Sequence, residues 1–276
     1  MRIYYKKSGT DNDLPDNSLK VKRLDECRKV REVASQSCLH TLKEIINSKK
    51  KISEVQFRNK WVKEIYKSHK VIGDGWYNPP PSGVGVLFAS EESSDRVNYR
   101  TLRDKNYWPK TNINLGKNGL GYLFASPFTV IDKIPIIGDF GLSFYLGKSQ
   151  KIRDYFKKCY SVLQKLIDSI SLGQIYSELY QETIKIIELN KLTNYAFSTS
   201  DSQQTNIGHC IPFINRNPYE NELDALSNGI NAELNQTISN ARKFINNKEK
   251  IVISENTAFT FEPRFISVMD NTLPMC

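Results

Sequence analysis

From Leu19 to Asn47 the apolar residues Val21, Leu24, Val30, Val33, Leu39, Leu42, Ile45 and Ile46 recur at three- and four-residue steps, the period of one helix face. Ser48–Lys51 interrupts that pattern, and Ser53-Glu54 opens a second helix carrying Val55, Phe57, Val62, Ile65 and Tyr66. Residues 71–147 read instead as short strands and turns, among them Gly83–Phe88 and Gly121–Phe124. Phe128–Asp132 and Asp139–Leu146 predict two strands joined by a short turn around Pro135. The plan then restarts. Lys151–Ser169 predicts a long amphipathic helix with Ile152, Phe156, Tyr160, Leu163, Leu166 and Ile167. After a break at Ser171-Leu172-Gly173, Ser177-Glu178-Leu179 leads a further helix through Ile187. Strand-like text follows around Asn206–Ile214, then a helix near Glu220–Asn246 and strands at Ile251–Ile253 and Ala258–Phe265.

Helix, helix, strands therefore appear twice. Leu42, Ile45, Ser53-Glu54-Val55 and Val62 align with Leu163, Leu166, Ser177-Glu178-Leu179 and Ile186, the second connector being longer. This predicts an α+β chain of two similar halves. Residues 1–18 are polar and turn-rich, an irregular arm ahead of one domain over residues 19–276.

Composition narrows the chemistry. Of 276 residues, 39% are hydrophobic and 11% aromatic, enough for a buried core. No apolar run approaches the roughly 18 residues that span a bilayer. The first residues, MRIYYKKSGTDNDLPDN, contain no hydrophobic signal core, so a cytoplasmic protein without membrane association is expected. Five scattered cysteines, none spaced CxxC, argue against a disulfide framework or a zinc ribbon. The net charge of +9 is spread over short lysine clusters on helical text, a solvated surface that makes nucleic acid an unlikely partner. A homodimer is compatible with the composition. The chain has only three histidines, His40, His69 and His209, which excludes histidine-rich mechanisms.

Four residues could carry chemistry: Asp132 in TVID, Asp139 in GDFGLSFYLGK, His209 in NIGHCIPF and Glu262 in AFTFEP. Three of them lie in strand-like text among bulky apolar residues, where an ionised carboxylate is costly unless paired or metal-bound. A divalent metal takes imidazole nitrogen and carboxylate oxygen from several strands and compensates such charge. Each residue also has a structural reading. The aspartates could cap a turn, His209 could be a hydrogen-bonded core histidine, and Glu262 could pair with Arg264. Cys210 adjoins His209, but neighbours on a strand face opposite ways, which favours a buried structural thiol over a nucleophile.

Taken in order, the four strings resemble the pita-bread metallohydrolases: methionine aminopeptidases, Xaa-Pro dipeptidases and creatinase. TVID132 is similar to that family's first aspartate strand, D139FGLSFYLGK to its second, IGH209 to its metal-histidine string and FTFE262P to its glutamate string. The resemblance covers about residues 20–270 and implies a pita-bread fold with two pseudo-symmetric halves. It assigns Asp139, His209 and Glu262 to one metal, with Asp132 completing the site.

The departures are informative as well. Asn98 stands where the family has a substrate-contacting histidine, and Arg216 where it has a second, transition-state histidine. The family's last glutamate, which bridges two metals, finds no counterpart in SVMDNTLPMC, where Asp270 is the sole acid. The resemblance thus implies one ion (Mn, Fe, Co or Zn) and a metal-dependent hydrolase of a small amino-acid or peptide-like substrate, with Arg216 and Asn98 facing that substrate. The alternative is a catalytically inactive relative that binds a peptide or protein partner in the old cleft.

Overall fold

A computed structural model describes residues 16–48, 50–77, 80–195, 201, 205–228 and 231–276. Most of the expected N-terminal arm lies outside these residues. Helix α1 spans Asn17–Ser48 and is started by the Asp16 carboxylate, which accepts the Leu19 N–H at 2.8 Å. Its buried stripe, Arg23, Cys27, Val30, Ala34, Cys38, Thr41, Leu42 and Ile45, has the helical period, but of the apolar residues read from the sequence only Val30, Leu42 and Ile45 lie in it, and Val21, Leu39 and Ile46 are exposed. Helix α2 (Glu54–Ile65) opens with a reciprocal cap: Ser53 Oγ accepts from Gln56 N–H, and Gln56 returns the bond to Ser53 N–H.

Strands β1 (Val84–Ser90), β2 (Gly119–Ala125) and β5 (Phe140–Tyr145) form an antiparallel sheet in the order β1-β2-β5. Alternation along β2 sends Leu123 and Ala125 towards the α1–α2 side, and Tyr122 and Phe124 to the opposite face, against Tyr99 and Tyr77. Strands β3 (Phe128–Ile131) and β4 (Ile134–Ile137) form a separate hairpin. The reversal falls at Asp132-Lys133, not around Pro135. Both turn residues have positive φ (50° and 66°), as a two-residue hairpin requires, and Pro135 sits in β4 opposite Val130.

The second half repeats the first. Helix α3 (Gln150–Asp168) corresponds to the end of α1 through the buried pairs Ala34/Tyr155, Cys38/Cys159, Thr41/Val162 and Ile45/Leu166. Helix α4 (Tyr176–Leu189) corresponds to α2 through Glu54/Tyr176, Phe57/Leu179, Trp61/Thr183 and Ile65/Ile187. Both second helices are moored identically. Glu54 N–H donates to Ile113 and Leu115 N–H to the Ile52 carbonyl, while Tyr176 N–H donates to Ile251 and Ile253 N–H to the Gln174 carbonyl. The halves are thus related as expected, but Ile175, not Ser177, occupies the position of Ser53. Isoleucine has no side-chain acceptor, so only the return half of the cap survives, from Ile175 N–H to Glu178.

Four further elements follow among the described residues. A short pair joins β6 (Leu192–Asn194) to β7 (Phe265–Ser267), and the single helix expected over 220–246 is two, α5 (Glu220–Asn228) and α6 (Asn231–Ala241). Segment 207–211 is not a continuous strand, yet it bonds in ladder fashion to 258–262 on one side and to 243–245 on the other.

The carboxylate of Glu54 is fully buried in the first half. It takes two bonds from Arg96 (2.7 and 2.6 Å) and one each from the N–H groups of Phe88 (2.7 Å) and Lys110 (2.8 Å). One carboxylate thereby ties α2, β1 and the 96–110 loop together. Arg96→Met leaves that charge without its counter-ion, and urea unfolding is expected to show a loss of about 3–5 kcal/mol. A loss under 1 kcal/mol would contradict this role.

Candidate metal centre and cleft

Three side chains from different parts of the chain converge: Asp139, His209 and Glu262 each offer a donor atom, all within 4.8 Å of one another. Asp139 lies in the corner between β4 and β5, directly after Gly138. A Cβ on Gly138 would stand 2.3 Å from the backbone nitrogen of Arg31, so glycine alone lets α1 cross this close to the corner. His209 likewise follows a glycine. Gly208 has φ +144°, and a Cβ there would meet the Thr260 carbonyl oxygen at 2.0 Å. The two glycines bring backbone against backbone beside the two buried members of the triad.

Register orients the rest. Thr260 N–H donates to the His209 carbonyl and Glu262 N–H to that of Ile207, so Glu262 lies diagonally across from His209 on the same face. The His209 Nδ1 sits 2.9 Å from the Cys210 carbonyl oxygen, which can only accept. The proton is therefore on Nδ1 and the Nε2 lone pair is free, 3.6 Å from Asp139 Oδ2. Phe244 packs edge-on against the imidazole at 5.9 Å. Cys210 turns to the other face, where its Sγ accepts the Lys243 N–H, and burial raises its thiol pKa. That geometry excludes it from the centre.

Burial dominates the electrostatics. It lifts the Asp139 carboxyl from 3.8 to about 7, helped by Glu262 and opposed by Arg242 and the Trp76 indole. It also depresses the His209 imidazole from 6.5 to about 4, with Arg242 pushing the same way. Among the described residues Asp139 Oδ1 is buried and accepts no hydrogen bond of good geometry, although the Trp76 indole is near enough to oppose the rise in its pKa. Cys27 lies near, but its Sγ donates to the Ile137 carbonyl and its thiol is pushed up to about 12.

The donor set fits one divalent cation. Two carboxylates and an imidazole with its far nitrogen anchored are a common ligand combination, and the unpartnered Asp139 Oδ1 is an acceptor in need of one. Donors sharing a first-row ion lie up to about 4.4 Å apart, so closing on an ion requires movement of only about half an ångström.

Asp139 and Glu262 also border a cleft of about 570 Å³, whose walls include Arg31, Tyr99, Tyr122 and Arg264. That volume suits a small molecule or a short peptide segment. Arg264 stands over the Tyr99 ring at 4.5 Å, and Tyr99 stacks on Tyr122 with ring centres 4.5 Å apart.

The other sequence candidates are placed elsewhere. Asp132 is exposed on the β3–β4 turn, because a positive-φ turn residue projects away from the sheet, and it does not join the triad. Arg216 is held in a two-pronged ion pair with Glu222 (2.7 and 2.8 Å) and stacks on Tyr219, so its charge is already neutralised. The side-chain oxygen of Asn98 accepts the Met275 N–H at 2.7 Å and fastens the 273–276 segment. Arg242 and Trp76, which do flank the centre, were not singled out from the sequence.

No protein-family profile matches the chain, and no curated protein matches it in sequence. Solved structures do match. Methionine aminopeptidase from Rickettsia prowazekii superposes with a TM-score of 0.54 at 14% identity, over 91% of this chain and 81% of that one. The prolidase from Pyrococcus horikoshii gives 0.56 at 12% identity, over 92% of this chain and 56% of its own length. The N-terminal domain of FACT complex subunit SPT16 from Eremothecium gossypii gives 0.55 at 12%, over 92% and 51%. The chain thus has the α+β pita-bread fold, shared by peptidases and by a domain of a FACT complex subunit, and it spans little more than half of the prolidase. Among the described residues, no helix is long and apolar enough to cross a membrane.

The two shifted groups have opposite pH signatures in the metal-free protein. Asp139, raised to about 7, favours folding most below pH ~4 and loses that contribution as pH rises towards 7. His209, lowered to about 4, contributes most above pH ~6.5 and loses it as pH falls towards 4. The windows overlap, so the two contributions are expected to nearly cancel from pH ~4 to ~6.5 in the wild-type protein kept in chelator. Asp139→Asn uncovers the histidine limb, and urea unfolding should then show stability rising with pH across that range. A flat profile in the variant would contradict a buried, neutral His209.

Proposed function

We propose that Asp139, His209 and Glu262 hold a single divalent ion, Mn, Fe, Co or Zn, at the edge of the cleft, and that the protein hydrolyses a C–N bond in a small amino-acid or peptide-like substrate. The observation that carries this reading is the convergence of the three donors, with one imidazole nitrogen anchored and one carboxylate oxygen unpartnered. The likeness in fold to a methionine aminopeptidase and a prolidase agrees with it.

A bound ion would supply Lewis acidity and a water of lowered pKa. The protein's own groups do the rest. Glu262, exposed to the cleft, is placed to take up or release a proton beside the reacting bond, while Asp139 and His209 are locked by their glycine crossings and move little. Tyr99 and Tyr122 give the substrate an aromatic wall, and Arg264, fixed on Tyr99, offers a positive charge to a carboxylate or carbonyl oxygen.

A second reading, a non-catalytic cleft that binds a peptide or protein segment, is favoured by the positions of Asp132, Asn98 and Arg216, none of which joins the triad. The SPT16 domain shows that the fold is not confined to enzymes named as peptidases. Elemental analysis and turnover separate the two. The hydrolase reading expects close to one ion per chain after loading and dialysis, lost in His209→Ala, with release of amino acid from a dipeptide panel that falls at least 100-fold in Glu262→Gln. An ion-free chain without turnover, whose melting temperature does not respond to metal, leaves the binding reading.

A further inference from the structure

The centre already contains one cation of the protein's own. The bridge between His209 and Phe244 sets 242–245 antiparallel to 207–211, with Cys210 N–H donating to Lys243 and Ile245 N–H to Gly208. Alternation then puts Arg242 on the same face as Phe244 and His209. Its Cζ stands 4.6 Å over the Trp76 ring and 5.7 Å over that of Tyr77. The Trp76 ring packs in the apolar cluster with Ile137 and Ile211, next in sequence or nearly so to Asp139 and His209. Arg96 and Arg216 each fork onto a glutamate, but Arg242 has no carboxylate within ion-pair distance among the described residues. Its Nη2 reaches only Ser239 Oγ at 3.5 Å, and its Nε is buried without a partner, as are the Trp76 Nε1 and the Asp139 Oδ1. Asp139 and Glu262 are the carboxylates it faces at longer range, and Arg103 is the next cation.

Charge then limits occupancy. The two carboxylates and the Arg242 guanidinium, which stays protonated, carry one net negative charge between them, and Arg264 faces Glu262 from the cleft with a further positive charge. One divalent ion reverses this to one positive charge, and a second would raise it to three in a largely desolvated corner. Resting on the reading of the triad as a metal site, we propose that Arg242 is a built-in fixed cation whose charge restricts the Asp139–His209–Glu262 centre to at most one divalent ion. It is a positioning residue: it touches no ion and acts through the field at the two carboxylates. The aromatic shelf of Trp76 and Tyr77 holds it there without neutralising it.

The test is calorimetric titration of chelator-stripped full-length protein with Mn²⁺, alongside Arg242→Gln and Arg242→Lys, with circular dichroism to confirm folding. The wild-type protein is expected to take up no more than one equivalent. Arg242→Gln should bind the first ion at least tenfold more tightly, and Arg242→Lys, which keeps the charge, should stay within about threefold of wild type. Tighter binding in both variants would indicate relieved packing rather than charge and would overturn the proposal, as would unchanged or weaker binding in Arg242→Gln. Uptake of two equivalents by the wild type would overturn it as well. If the wild type binds no Mn²⁺ and Arg242→Gln binds one equivalent, this inference stands while the hydrolase reading falls. If neither binds, both fall. Should Arg242→Gln fail to fold, Trp76→Leu, which removes the shelf and frees the guanidinium to swing away, is expected to tighten binding in the same direction, and failure to do so overturns the proposal.

Discussion

Asp139 is a buried acid, one of whose oxygens accepts no hydrogen bond of good geometry although the Trp76 indole is close, and much of the surrounding structure follows from that cost. Burial, with the charge of Glu262, lifts its pKa to about 7, so near neutrality the carboxyl is poised between a proton and a cation. A structural aspartate would be expected to sit on a helix end or a backbone N–H, as Glu54 does, with four bonds to its two oxygens. Asp139 instead faces an imidazole whose free nitrogen is also a lone pair and a glutamate that adds negative charge. Acceptors facing acceptors are unfavourable without a positive species among them, which is the physical case for a cation at this point.

The duplicated architecture explains how such a spot is built. One half supplies Asp139 from the corner of the first sheet, and the other supplies His209 and Glu262 from its ladder. Arg23 of α1 stitches the halves by donating to the carbonyls of Phe213 and Arg216 and to the side chain of Asn217. Each buried donor is preceded by a glycine through which another backbone passes, α1 at Gly138 and the 260–261 segment at Gly208. The close approach at the centre is thus made by main-chain crossings.

Much of this was legible in the sequence, because it rests on periodicity and on strings that are local. The helical hairpins and the repeat reflect short-range rules of burial and alternation, whereas the GD139, GH209 and FTFE262P strings were grouped by their resemblance to the pita-bread metallohydrolases. What was misread depends on turns and on distant partners. Asp132 looked like a strand end, but the chain reverses at Asp132-Lys133, since both adopt positive φ and Pro135 can occupy a strand position. Arg216 looked like a cleft residue, but Glu222 lies only six positions on and captures it. The two serines of the repeat suggested one register, while the buried faces and the mooring bonds select another. Arg242 could not be found from local text, since its importance comes from pairing across to His209 and from resting on Trp76.

The central claim is that Asp139, His209 and Glu262 together bind one cation. Diffraction from crystals grown with Mn²⁺, recorded on both sides of the manganese absorption edge, addresses it most directly. A single anomalous peak about 2.0–2.3 Å from His209 Nε2 and from a carboxylate oxygen of both Asp139 and Glu262 is expected. An empty triad under saturating Mn²⁺, or a pair of peaks about 3.5–4 Å apart, would contradict a one-cation centre.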